Sequence, residues 1–219
     1  MGNLWTVLTS PTATFERLRA NRVFWVPMIV LIVLSAFAVW LQLPALVAEL
    51  EKGIAETNVP AEALQGVQIF AQVTGVVSAA FMVPVGAFIT GLLLLLVNLI
   101  VRGEAQYMQL ATVGLYAYVP AVISQLIIGI LVRVTGATSV YDVALNLSAF
   151  KTEKTGFLFH FLTLVDPFAI WSLVLTIIGT AVMAQRPRKK VATWIVLGYV
   201  LMCLVVLLIA AAGEKMSGV

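Results

Sequence analysis

The chain has 219 residues, 62% of them hydrophobic and only 11% charged, with a mean hydropathy of +1.06. Soluble domains carry about a quarter of their residues as charges, so this composition excludes an ordinary soluble enzyme and points to an integral membrane protein. The formal net charge of +3 would suit a nucleic-acid partner only if the basic residues formed an exposed patch, and they lie instead at the ends of apolar runs, so no nucleic acid is expected.

In chain order, residues 1–22 read as a cytoplasmic interfacial segment. Ser10 followed by Pro11 is an N-cap with proline at the first helical position. Phe15 and Leu18 give a short apolar face beside Arg17, Arg19 and Arg22, and Trp5 is an aromatic anchor. The first spanning run, 23–43, reaches bilayer thickness with no small-residue cleavage pattern after it, so an uncleaved anchor is expected rather than a signal peptide. The second run, 67–101, exceeds the roughly 20 residues of a perpendicular span. Pro84 near its middle predicts either a kinked helix that begins outside the membrane or a segment before Phe81 lying along the outer surface. Gly75, Ser78, Gly86 and Gly91 offer small surfaces for helix contact.

The third run, 110–132, carries Gln109, Thr112, Tyr116, Pro120 and Ser124 at helical spacing. Interhelical adhesion is the expected use of this stripe, with a polar path as the alternative. Beyond it, "SVYDVALNLSAF" places Val140, Val143, Ala144 and Leu147 on one helical face and predicts a second surface-lying helix on the outer side. Asp166 and Pro167 form an N-cap and first helical residue. They start a fourth span, 167–184, about 27 Å long, matching the hydrocarbon core. Asp166 is then at the outer interface, and "GFLFHFLTLV" is an interfacial or re-entrant approach with His160 near the surface. The alternative turns Asp166 into the bundle as a proton or ligand site, partnered by Gln109, Tyr116, Gln125 or Asn98. A fifth span, 191–212, leads to an extracytoplasmic tail, 213–219. The expected fold is all-α: a polytopic membrane protein with a five-transmembrane-helix bundle over 23–212 and short interfacial helices.

With five spans, Arg17, Arg19, Arg22, Arg102, Arg186, Arg188, Lys189 and Lys190 all fall on one side. The other side holds Lys52, Arg133, Lys151, Lys154 and Lys215, diluted by Glu49, Glu51, Glu56 and Glu62. The positive-inside rule puts the N-terminus in the cytoplasm and the C-terminus outside. The "RPRKK" cluster is a topology signal first and secondarily a site for anionic lipid.

Catalytic signatures are missing: there is no G-x-S-x-G, H-E-x-x-H, P-loop or G-x-G-x-x-G. A single histidine and a single cysteine cannot assemble an imidazole or thiolate metal cluster, and Cys203 has no partner for an intramolecular disulfide. Asp142 falls in a polar loop and Asp166 at a helix start, so the two aspartates do not form a pair at membrane depth. Glu104 reads as a solvated neighbour of Arg102. No enzymatic activity, cofactor or metal is expected.

Three stretches, "LTSPTATFERLRANRVFWVPM", "GLYAYVPAVI" and "VDPFAIWSLVLTIIG", together resemble the Yip (Ypt-interacting protein) family of five-span membrane proteins in its short prokaryotic form. On that resemblance Pro11 and Phe15 match the pre-span element, Tyr116, Tyr118 and Pro120 the third-span motif, and Asp166, Phe168, Trp171 and Gly179 the fourth-span motif. Eukaryotic relatives act in vesicle traffic with Rab-type GTPases, but their long N-terminal domain and Tyr-Gly-Pro signature are not found here, which argues against a GTPase partner. Some bacterial relatives resemble accessory components beside ABC-type export or resistance systems. The resemblance therefore implies a non-enzymatic protein of a prokaryotic cytoplasmic membrane. Its partners would be the lipid bilayer and other membrane proteins or a second copy of itself, in a scaffold or accessory role in trafficking or export. A small transporter or channel subunit with a polar route near Asp166 and Tyr116 is the alternative.

Overall fold

Transferring a chain of this composition into lipid leaves its backbone only itself to hydrogen-bond with, and helices meet that demand within each segment. The computed structural model describes residues 2–55, 61–153 and 156–217. Among them the regular elements are helical: α1 (Gly2–Thr9), α2 (Pro11–Ala20), α3 (Trp25–Ala55), α4 (Ala61–Val101), α5 (Tyr107–Ala117), α6 (Val119–Thr135), α7 (Phe157–Thr163), α8 (Pro167–Ala184) and α9 (Arg188–Ser217). Glu56, Lys154 and the last two residues of the 213–219 tail lie outside the described residues. Five helical segments are long and apolar enough to cross a membrane: Trp25–Ile54, Gln65–Val101, Tyr107–Thr135, Pro167–Ala184 and Arg188–Gly213.

The bundle is organised around α5. Every residue from Leu110 to Ala117 is buried, because both α4 and α8 pack against this helix. Helices associate in lipid by close packing of small residues, and two glycines set that approach. A Cβ on Gly91 would come within 2.8 Å of the Ala111 backbone, and one on Gly114 within 2.8 Å of the Thr90 Cβ. Beyond this centre α3 packs against α4 and α6, while α9 lies on α8. Of the other small residues of the second span, Gly86 faces open space, Gly75 makes only an ordinary contact with Val39, and Ser78 is exposed.

For the second run the single-helix alternative is the one found, α4 being continuous with Pro84 inside it, while other segments depart from the sequence reading, each for a local reason. At about 60 Å, α4 is about twice the hydrocarbon thickness, so it tilts or stands partly outside the apolar layer. The third run is divided at Tyr118 into α5 and α6. Pro120, in the first turn of α6, has no N–H to return to the Tyr116 carbonyl, so the helix must restart there. The predicted outer surface helix is two 3₁₀ turns, Val140–Val143 and Leu147–Phe150. The side chains of Ser139 and Asn146 accept from the backbone N–H groups of Tyr141 at 3.1 Å and Ser148 at 3.0 Å, competing with a continuous helix.

The N-terminal segment also differs. It is a pair of helices, and the apolar face of α2 does not lie on lipid: Phe15 and Leu18 are both 0% exposed, packed into the bundle core. Trp5 on α1 remains exposed. Ser10 occupies the N-cap of α2 with Pro11 at the first helical position, although its hydroxyl makes no capping hydrogen bond.

Candidate functional site

The residues singled out in the sequence separate into two ends of the molecule. At the basic end, α1 and α2 form a hairpin held by hydroxyls and a guanidinium. Thr14 Oγ1 donates to Thr6 Oγ1 at 2.9 Å, and Arg17 Nη2 donates to Thr6 Oγ1 at 3.0 Å and to Thr14 Oγ1 at 3.1 Å. This hairpin rests on α8 and touches α5. Phe15 enters a notch floored by Gly179: a Cβ there would stand 2.8 Å from the Phe15 ring and 2.8 Å from Val113 Cγ1. One turn beyond Val113, the fully buried Tyr116 donates its hydroxyl to the Val23 carbonyl at 3.1 Å. A cavity of about 30 Å³ beside it, lined by Asn3, Leu4, Val26, Pro27 and Tyr116 among others, is room for about one water.

Some of the basic residues clustered at this end also stitch it together. Arg19 donates to the Val182 carbonyl at 3.1 Å and Arg188 to Thr12 Oγ1 at 2.7 Å, clamping α2 to the foot of α8 and the start of α9. Helices α4 and α8 finish in the same way. Arg102 has φ 56° and Gln185 has φ 54°, left-handed closures that glycine usually supplies. The following N–H reaches five residues back in both, Gly103 to the Asn98 carbonyl at 2.8 Å and Arg186 to that of Ala181 at 3.1 Å. The two turns then bond to each other. Arg186 donates to the Arg102 carbonyl, Gln185 Nε2 to Glu104 Oε2 at 3.0 Å, and Glu104 N to the Ala184 carbonyl at 3.2 Å. Glu104 is thus a bridging residue. Arg22, Lys189 and Lys190 remain exposed to solvent or headgroups.

At the opposite end, Asp166 caps α8. One carboxylate oxygen accepts from Phe168 N at 2.7 Å and Ala169 N at 3.4 Å. The four side chains considered as its partners are engaged elsewhere. Gln109 completes a capping box with Gln106, Asn98 bonds both backbone groups of Ala105, Tyr116 holds Val23, and Gln125 donates to Tyr118 Oη at 2.9 Å. Of the polar stripe of the third span, Thr112 is fully buried and donates to its own helix at the Met108 carbonyl. Phe168 is half-buried and Trp171 39% exposed on the outer part of α8. His160 is half-buried in the short α7, beside the ring of Phe159. Among the described residues no group of histidine, cysteine, aspartate and glutamate could hold a metal ion.

Phe15 meets Gly179 and Val113, and Tyr116 meets Val23, so contacts join the beginning, middle and last quarter of the chain and the whole chain is the unit of comparison. The model of the Yip1 domain matches residues 5–210. The chain belongs to the Yip1-domain family. Within the family's reach it is also similar to "Membrane protein YknW" of Bacillus subtilis (strain 168), with 26% identity over 194 residues that cover 88% of this chain and 82% of that protein. No solved structure gives a match. In this Yip1-domain protein one residue from the first motif stretch and one from the last, Phe15 and Gly179, join the N-terminal hairpin to α8, while Asp166, Phe168 and Trp171 lie at the other end of α8.

One feature of the opposite end was not visible in the sequence. Pro44 lies inside α3 and cannot return a hydrogen bond to the Trp40 carbonyl. Arg133, at the far end of α6, supplies the missing donor: Nη2 reaches the Trp40 carbonyl at 2.9 Å and Nε the Leu41 carbonyl at 3.0 Å. Its guanidinium also stands 4.9 Å from the centroid of the Trp40 ring. The signal available was a proline in one apolar run and a lone arginine ending another, with nothing to pair them.

Proposed function

We propose that this Yip1-domain protein is non-enzymatic and acts as an accessory or scaffold of the prokaryotic cytoplasmic membrane, in trafficking or export, through lateral contact with another membrane protein. The supporting observation is the contrast between its inside and its outside. The polar side chains considered for a site, Asp166, Tyr116, Gln125 and Thr112, are engaged with partners within the chain, although the buried hydroxyls of Ser35, Ser172 and Thr180 have none. Outward, α9 presents Leu197, Leu201, Leu204 and Leu208 at helical spacing, between 47% and 70% exposed. A molecule built this way offers surfaces rather than a reactive centre. The small face at Gly91 and the phenol of Tyr116 are taken up inside the bundle, so contact with a partner falls to the outer faces of α4 and α9. The basic end faces the cytoplasm in this reading, in keeping with the positive-inside rule.

The test is affinity purification of the tagged full chain from its own membranes after mild crosslinking, against an unrelated five-span control. Stoichiometric enrichment of a membrane protein, reduced when Leu201 and Leu208 are replaced by alanine, is the expected result. Recovery of the folded protein alone would overturn it.

A further inference from the structure

The chain also has a larger and mostly open cavity of about 350 Å³ on its surface, between α3, α4 and α6 away from the basic end. Its lining is Leu43, Pro44, Val47, Ala48, Glu51, Gln72 and Arg133. That volume is in the range of small-molecule and headgroup sites, about 300 Å³ upward. The lining is graded. Leu43, Pro44, Val47 and Ala48 form an apolar wall, and the charged groups of Glu51 and Arg133 share the same space.

The level of the cavity in a bilayer follows from helix geometry. At about 1.5 Å per residue from Trp25, Pro44 lies about 28 Å and Glu51 about 39 Å along α3. The hydrocarbon layer is about 30 Å thick and the whole bilayer about 40–45 Å. The cavity therefore crosses from hydrocarbon into the headgroup layer of the leaflet opposite the basic end. Its polarity changes in the same direction.

The charges are held in place. Arg133 is anchored by the two carbonyls at the Pro44 break and by the Trp40 ring, which leaves its Nη1 donors and its full charge for a ligand. Arginine is the side chain best suited to a phosphate because its planar fork presents several donors at once. Glu51 is fixed through one oxygen, Oε1, which accepts from Gln68 Nε2 at 2.6 Å, and its negative charge faces the same cavity. An occupant with an apolar tail, a phosphate and a primary ammonium satisfies all three walls.

We infer that this cavity is a binding site for a single phospholipid with a phosphoethanolamine headgroup, the phosphate on Arg133 and the ammonium on Glu51. The site is independent of the lateral partner proposed above and of which leaflet the basic end faces.

The experiment reconstitutes the full chain into vesicles of phosphatidylethanolamine and phosphatidylglycerol in equal amounts, re-extracts it in mild detergent, and measures the retained lipids by native mass spectrometry. The wild type retains the ethanolamine lipid over the glycerol lipid by about tenfold, the factor carried by one charge-assisted hydrogen bond of about 1.4 kcal/mol. Glu51→Gln, on an exposed side chain, removes that preference while thermal unfolding stays at the wild-type temperature. Ala48→Trp fills the cavity without touching the Arg133 anchors and removes retention of both lipids. Equal retention in the wild type, a preference for the glycerol lipid, or an ethanolamine preference that survives either folded variant would overturn the assignment.

Discussion

Asp166 and Gly179 show how a single residue in α8 is chosen. The carboxylate of Asp166 accepts from two N–H groups of the first turn, and asparagine serves an N-cap about as well as aspartate, whereas alanine loses about 1 kcal/mol. Asp166→Asn is therefore expected to unfold at the wild-type denaturant concentration and Asp166→Ala at a lower one. If the two variants are equally impaired, the charge and not the cap is the important property. Gly179 is needed for space, since any side chain meets Phe15 and Val113 at 2.8 Å. Gly179→Val should displace α2 and expose the hairpin to protease. Phe15→Ala, which empties a fully buried aromatic site, should cost about 3–5 kcal/mol. A hairpin that stays protease-resistant in Gly179→Val would show that Phe15 does not anchor it. Aspartate before proline is a local signal and was readable as a cap. The role of Gly179 was not, because its neighbours Phe15 and Val113 are remote in the chain.

At the scale of elements, the interruptions carry most of the information. Pro120 divides the third span and Pro44 opens α3; each follows from the missing N–H, but the consequences differ with what lies beside the break. At Pro44 the consequence is Arg133, and a double-mutant cycle measures it. Arg133→Met leaves the Trp40 carbonyl short of a donor and removes a second bond to the Leu41 carbonyl, and should cost about 1.5–3 kcal/mol in an otherwise native chain. In a Pro44→Ala background, where residue 44 can again bond the Trp40 carbonyl, the same replacement should cost clearly less by unfolding in mixed detergent micelles. Strict additivity would mean that the arginine is merely near the break. The outer 3₁₀ turns make a complementary point. The apolar spacing of Val140, Val143, Ala144 and Leu147 does suit a helix, yet Ser139 and Asn146 interrupt it through bonds only two residues long. Periodicity registers the faces of a segment and says nothing of side chains that compete for its backbone.

For the whole molecule, the proposed orientation has the two ends of the chain on opposite sides of the membrane if all five candidate spans cross it, with the basic end carrying the hairpin and the paired turns after α4 and α8. An alkaline phosphatase domain fused after Gly213 should be active in a bacterial host and one fused after Gly103 inactive. The reverse pattern would invert the orientation assigned from charge. Composition and run length alone determined the all-α membrane class and the five crossings, because a polypeptide in hydrocarbon has no other way to satisfy its backbone over that length. The Asp166 cap and the basic character of one end were likewise open to sequence reading, as each rests on neighbouring residues. Tertiary structure alone decided which face of α2 is buried, that Phe15 meets Gly179 and Tyr116 meets Val23, and that Arg133 completes α3. Those pairings join residues far apart in the chain, and in an apolar sequence almost every face is hydrophobic enough to be either core or lipid surface, so only shape and the placement of a few donors select between them.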